Sequence, residues 1–160
     1  MKLEAKSIFE KLKSEFGDAI IELKEDKTSD SVITVDAKKI LDISLSLRDN
    51  ESLLFDYLMS LSGMDYKTSF GVVYHLYSTK KNHKIAIKAI VDRENPALLS
   101  VDGVWKSANW HEREAFDMFG IKFEGHPDLI RILCPYDWEG YPLRKDYKPP
   151  EYYRGFKVQY

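Results

Sequence analysis

The chain has 160 residues and a mass of 18.7 kDa, the size of one domain. At 44% hydrophobic and 31% charged residues it has the composition of a globular protein, not of a disordered one. Its 24 basic and 26 acidic residues leave a formal charge of −2, which gives no general drive toward nucleic acid or an anionic membrane.

The opening residues MKLEAKSIFEKLKSEF carry acids throughout and no uninterrupted apolar block, so neither a secretory signal nor a mitochondrial presequence is expected. Residues 2–16 instead place Ala5, Ile8, Phe9, Leu12 and Phe16 at helical spacing, with Gly17 as a stop signal. A strand is expected over Ala19–Lys24, then a polar turn Glu25–Asp30 and a second strand Ser31–Val35. Residues 37–48 mix helical and alternating patterns and are read as a helix. Asn50 suits the N-cap of a further helix at 51–62, where Leu53, Leu54, Tyr57, Leu58 and Leu61 make one stripe and Gly63 closes it.

Phe70–Tyr77 and Lys84–Val91 read as strands of a hairpin joined by Ser78–His83, with Ile85, Ile87, Ala89 and Val91 on one face. Asn95-Pro96 breaks the chain, and a helix is expected from about 99 to 119, ending at Gly120. The fold class is therefore α+β: a small mixed sheet of about four strands packed with helices, in an α/β body over 1–125. No apolar run reaches the roughly 18 residues of a membrane span.

Residues 126–160 differ in kind. Five of the six prolines lie there, and 8 of the 21 aromatic residues fall in the last 27 positions. Frequent proline denies the segment a long helix or an inner strand, so it cannot build a core of its own. Its rings, each able to bury about 150–250 Å², are too many for a solvated tail. An extended strip of Tyr, Trp and Arg is what a partner surface covers; the alternative is that it folds back over its own domain.

Evidence for chemistry is thin. No phosphate-binding loop, dinucleotide fingerprint or nucleophile elbow occurs. His111 and Glu114 lie three apart on the expected helix with His126 beyond, a conceivable metal set that falls short of the usual close ligand count. Asp137-Trp138-Glu139 offers two carboxylates, but a glycosidase pair needs a defined gap across a cleft. Cys134 is the only cysteine and cannot hold an iron–sulfur cluster alone.

The expected helix 99–119 is more informative. Val101, Trp105, Ala108, Phe116 and Phe119 share a face, and Glu112 falls in the middle of it. A bare buried carboxylate costs several kcal/mol, so Glu112 is expected to meet a cation, with Arg131 or Arg144 as candidates. Arg113 and Asp117, four apart, are placed to pair.

The runs Glu112-Arg113-Glu114-Ala115-Phe116-Asp117-Met118-Phe119-Gly120, Gly125-His126-Pro127-Asp128-Leu129, Arg131-Ile132-Leu133 and Asp137-Trp138-Glu139-Gly140-Tyr141-Pro142-Leu143-Arg144-Lys145-Asp146-Tyr147 follow one another in order. This series resembles the 30-kDa subunit family of respiratory complex I, the proton-pumping NADH:quinone oxidoreductase. The strong match covers about residues 105–147 and continues more loosely back to Met64-Asp65-Tyr66. One position departs: the family's second basic residue, just before Arg131, is Ile130 here.

The resemblance implies a non-catalytic accessory subunit with no cofactor of its own; FMN, iron–sulfur clusters, NADH and quinone would be handled by other chains. It implies docking on the 49-kDa-type subunit that forms the quinone site and on neighbouring iron–sulfur subunits. The setting it implies is the cytoplasmic side of the cell inner membrane, as a peripheral component. The same scaffold also occurs in ferredoxin- or F420-fed relatives and energy-converting hydrogenases. The interface candidates it suggests are Glu112, Arg113, Glu114, Asp117, His126, Pro127, Asp128 and Arg131 in the first runs. In the tail they are Asp137, Trp138, Tyr141, Pro142, Leu143, Arg144, Lys145, Asp146, Tyr147, Tyr152 and Tyr153.

Overall fold

A computed structural model of the chain describes residues 3–25 and 30–158. Helix α1 spans Ala5–Phe16 and buries Ile8 and Leu12, the two innermost positions of its apolar stripe. A short 3-10 turn at Gly17–Ala19 leads into β1 (Ile20–Lys24). Residues 26–29 of the expected Glu25–Asp30 turn lie outside the described residues. β2 (Val32–Asp36) is followed by a 3-10 turn and α2 (Ile40–Asp49), which buries Ile40, Ile43 and Leu47.

The helix expected over 51–62 is not there. Asn50 does cap, but it caps a tight turn: its side-chain oxygen accepts from the Ser52 N–H at 3.0 Å and the Ser52 hydroxyl at 2.7 Å. Leu54 then takes φ +46°, which ends any helical course. Strand β3 follows at Tyr57–Asp65. Its register shifts between Leu58 and Ser60, and this bulge puts Leu58 and Leu61 on the same face. A spacing of three that reads as helical is here a strand with one extra residue.

β4 (Ser69–Ser78) and β5 (His83–Asp92) form the expected hairpin, with Asn82 at φ +56° closing the turn. With β3 counted, the sheet has five strands in the order β1-β2-β5-β4-β3. It is mixed, because β2 and β5 run parallel while the other neighbours are antiparallel. One face is the core: Ile33 and Val35 of β2, Phe70, Val72, Tyr74 and Leu76 of β4, and Ile85, Ile87, Ala89 and Val91 of β5 join the buried residues of α1 and α2.

The helix expected from 99 is shorter. Ala97–Leu99 is a strand, β6, paired in parallel with β7 (Lys122–Glu124). Turns fill 100–107, and α3 runs only over Ala108–Phe119. Val101 and Trp105 are buried as expected, but from the turns: the Trp105 indole N–H donates to the Phe55 carbonyl at 2.8 Å. Gly120, at φ +73°, ends α3 with its N–H on the Phe116 carbonyl. α3 lies against β3, closely enough that a methyl group on Gly63 would come within 2.6 Å of the Phe119 ring. After β7 the chain is irregular apart from a small hairpin, β8 (Tyr152–Tyr153) with β9 (Phe156–Lys157).

Candidate docking surface

Two carboxylates on α3, both 0% exposed, organise this end of the molecule from opposite sides of the helix. Glu112 faces the body. It accepts from the Ser100 hydroxyl at 2.6 Å and the Val101 N–H at 2.7 Å, both in the turn before α3. Burial pushes its carboxyl up to about 7; the two donors only partly offset this, and Asp102 adds to it. The buried Tyr74 phenol, also raised by burial and by Glu112, has no hydrogen-bond partner among the described residues. No cation among the described residues meets Glu112. The expected ion pair with Arg131 or Arg144 is replaced by protonation and two neutral donors, because both arginines are engaged elsewhere.

Asp117 faces the tail. One of its oxygens receives three successive backbone N–H groups, from Ile132, Leu133 and Cys134, at 2.9, 2.7 and 3.0 Å. The other receives the Arg131 guanidinium at 2.7 Å. Burial alone would raise this carboxyl, but the donors outweigh it and hold Asp117 below the usual carboxylate range. Arg131 is thereby taken from Glu112, and Asp117 is taken from Arg113. Arg113 instead lies 4.7 Å from the centre of the Trp110 ring and donates to the Ile130 carbonyl.

From this knot the chain crosses the end of α3 as a strap. Arg131 reaches on to the Gly140 carbonyl at 2.8 Å. The Leu143 N–H donates to the Met118 carbonyl, and Arg144 Nε donates to the Phe119 carbonyl at 2.7 Å, satisfying helix-end groups. The Arg144 guanidinium also covers the Phe70 and Tyr141 rings. A third buried carboxylate, Asp65 at the end of β3, holds the strap's far side. It accepts from the Lys145 and Lys67 N–H groups and from Arg93, whose second arm pairs with Asp146. Burial opposes its ionisation, but these donors bring it down to about 2.

Beyond the knot, the Trp138 indole N–H donates to the Tyr147 hydroxyl, and Trp138 packs at 5.0 Å on Tyr153. Asp137 accepts from the Tyr153 hydroxyl and from Arg154. Asp65, Arg93 and Phe70, central to the strap's attachment, carry no local motif in the sequence. An aspartate closing an apolar strand is the only hint.

The structure thus sorts the sequence's interface candidates. Glu112 and Asp117 are buried within the chain and present no contact surface as folded. Arg131, Arg144 and Asp146 attach the strap to the body. His126 is a loop brace: its Nε2 sits 3.1 Å from the Asn109 carbonyl, and its Nδ1 accepts from the Asp128 N–H. His111, Glu114 and His126 are not brought together; no cluster of three metal-ligating side chains occurs among the described residues. Pro127, Asp128, Glu114, Lys145 and Tyr152 are exposed, while Trp138, Tyr141, Pro142, Tyr147 and Tyr153 are half-buried.

What stands out into solvent is apolar. Leu143 is 54% exposed, Ile130 53%, Leu133 63%, Tyr136 87% and Trp110 62%. Of these only Leu143 is among the interface candidates of the sequence. The polar atoms of the strap face inward to the carboxylates, and its greasy side chains face out, a combination that marks interaction surfaces.

Comparison with known proteins gives this surface a family. The model of the respiratory-chain NADH dehydrogenase 30-kDa subunit matches residues 33–153. A protein of Chlorobium phaeobacteroides, named as the C-type subunit of NADH-quinone oxidoreductase, is 45% identical over 160 residues, covering 98% of this chain and 96% of its own length. The protein of the same name from Chloroherpeton thalassium is 49% identical over 154 residues, covering 93% of this chain and 63% of its own length.

Among solved structures, the trypsin-resistant fragment (1–134) of Nqo5 aligns with a TM-score of 0.65 and 26% identity, covering 78% of this chain and 98% of the fragment. A chain of the membrane-bound sulfane sulfur reductase, an archaeal respiratory membrane complex, shares the fold at a TM-score of 0.73 and 22% identity. That alignment covers 89% of this chain and 85% of the other. No helix among the described residues is long and apolar enough to cross a membrane. Matched over most of its length by sequence and by fold, the chain belongs to the 30-kDa subunit family of the respiratory-chain NADH dehydrogenase.

Proposed function

We infer that this chain is a non-catalytic scaffold in the peripheral arm of a proton-pumping NADH:quinone oxidoreductase. It docks through α3 and the strap onto the 49-kDa-type subunit of the quinone site and the adjoining iron–sulfur subunits, on the cytoplasmic side of the membrane. FMN, the iron–sulfur clusters, NADH and quinone belong to those other chains, and this one supports electron transfer by holding them in register. One observation carries the reading: the strap is fastened inward by Asp117 and Asp65 while Leu133, Tyr136 and Leu143 point outward. Its apolar groups cannot sink into its own core without breaking those polar ties, so another surface covers them.

The relatives named for NADH-quinone oxidoreductase favour this setting over a ferredoxin- or F420-fed complex or a hydrogenase. The shared fold in an archaeal respiratory complex keeps those alternatives in view. The test is capture of the 49-kDa-type partner by the tagged full-length chain. Removing the strap would also strip hydrogen bonds from α3 and β3, so surface variants are the cleaner tool. Leu133→Asp with Tyr136→Ala should abolish capture and leave the melting temperature unchanged. Undiminished capture would refute the docking surface.

A further inference from the structure

Between Leu61–Gly63 of β3 and the last turns of α3 lies a cavity of about 210 Å³. Ala115, Met118 and Phe119 form its helical wall, Leu143 of the strap closes one side, and Glu114 stands at the rim. The cavity is smaller than the roughly 300–1,000 Å³ of small-molecule and cofactor sites. Its volume and mostly apolar walls suit one large side chain.

The rim carries the second observation. Glu114 is exposed and has no hydrogen bond or ion pair among the described residues. Every neighbouring arginine is already engaged: Arg113 over Trp110, Arg131 on Asp117, Arg144 on the Phe119 carbonyl. A carboxylate left without a counterion beside an apolar hole is half of a complementary pair. β3 is also the edge of the sheet, so the hole is approached from outside the body.

We propose that this cavity is the anchor pocket of the docking surface, filled by one large aliphatic or aromatic side chain of the partner, with a lysine or arginine within two positions of it pairing with Glu114. The proposal rests on the docking reading above and names the chemistry the partner must bring. Anchors of this kind, seated in a pocket and ringed by polar contacts, carry most of the energy of an interface.

The test uses the full-length chain in cells lacking the native copy and counts assembled complex. Ser62→Trp places an indole from an exposed position into the cavity, and Glu114→Lys reverses the rim charge. Each should lower assembled complex about tenfold, equivalent to about 1.4 kcal/mol, while the purified variant melts like the parent. A photo-crosslinking residue at Ser62 should capture a partner peptide with an apolar residue next to Lys or Arg. Normal assembly of both variants, or a captured peptide without a basic residue, overturns the proposal. Leu133→Asp separates the two readings. If it blocks assembly while the pocket variants do not, the pocket is wrong and the docking surface stands; if all three assemble normally, both fall.

Discussion

Glu112 and Asp117 sit five residues apart on one helix, equally buried, and are held in opposite charge states. The difference is the number and kind of donors. Two contacts to Glu112 do not compensate its burial, so it stays protonated to about pH 7; four donors to Asp117 keep it ionised. The sequence shows that Glu112 lies on an apolar face, but not that a proton neutralises it. That outcome depends on which loop packs over the helix.

The consequence for stability has a definite sign. Glu112 has a folded value raised from 4.5 to about 7, so the folded state binds the extra proton in that window, and stability falls as pH rises from about 4.5 to about 7. The loss is on the order of 3 kcal/mol. Asp65 and Asp117 act the other way: their values are lowered from 3.8, and their contribution is lost as pH falls below about 4. Urea denaturation against pH should therefore show greatest stability near pH 4–5. Glu112→Gln, which keeps one acceptor for Val101 and can donate to Ser100, should flatten the decline toward neutrality. An unchanged slope would remove the assignment. Asp117→Asn should cost about 3–5 kcal/mol, because it leaves Arg131 half-buried without its charge partner; a loss under about 1 kcal/mol would show that the knot is not built as described.

At the level of elements, the β4–β5 hairpin, α1 and the Gly120 stop are legible in the sequence because each rests on local chemistry: alternation, helical spacing, and a backbone at positive φ. β3 is not. Its bulge converts a strand's period of two into a local spacing of three, and only pairing with β4 decides between the readings. The start of α3 is misread for a similar reason, since Val101 and Trp105 reach the core from turns at positions that imitate a helix face. Gly120 joins these elements to the strap. A methyl group there would lie 2.6 Å from both the Arg144 guanidinium and the Tyr141 ring, in addition to the positive-φ penalty. Gly120→Ala should destabilise by about 1–3 kcal/mol, read as a lowered urea midpoint. Gly125→Ala, also at positive φ but with open space around it, should cost less. Equal effects would show that the strap does not press on the helix end.

For the whole molecule, composition separates the body from a proline- and ring-rich tail, and the family resemblance runs along the boundary. Neither reveals how the tail is fastened. Three buried groups, Asp65, Asp117 and the Phe119 carbonyl, turn residues 131–146 into part of the folded body, so the tail is neither a free arm nor a covered core segment. Hydrogen exchange on the isolated chain should protect the amides of Ile132, Leu133, Cys134 and Lys145. Exchange there as fast as in an open loop would show that the strap is ordered only by a partner.

The central claim is that this pre-ordered strap presents its apolar side chains to other chains of the complex. Oxidative footprinting of the chain, alone and within the assembled complex, tests it directly. Leu133, Tyr136 and Leu143 should lose most of their reactivity on assembly, while Ile21 and Leu45, exposed on the far elements β1 and α2, keep theirs. Strap side chains that react equally in both states would contradict the account.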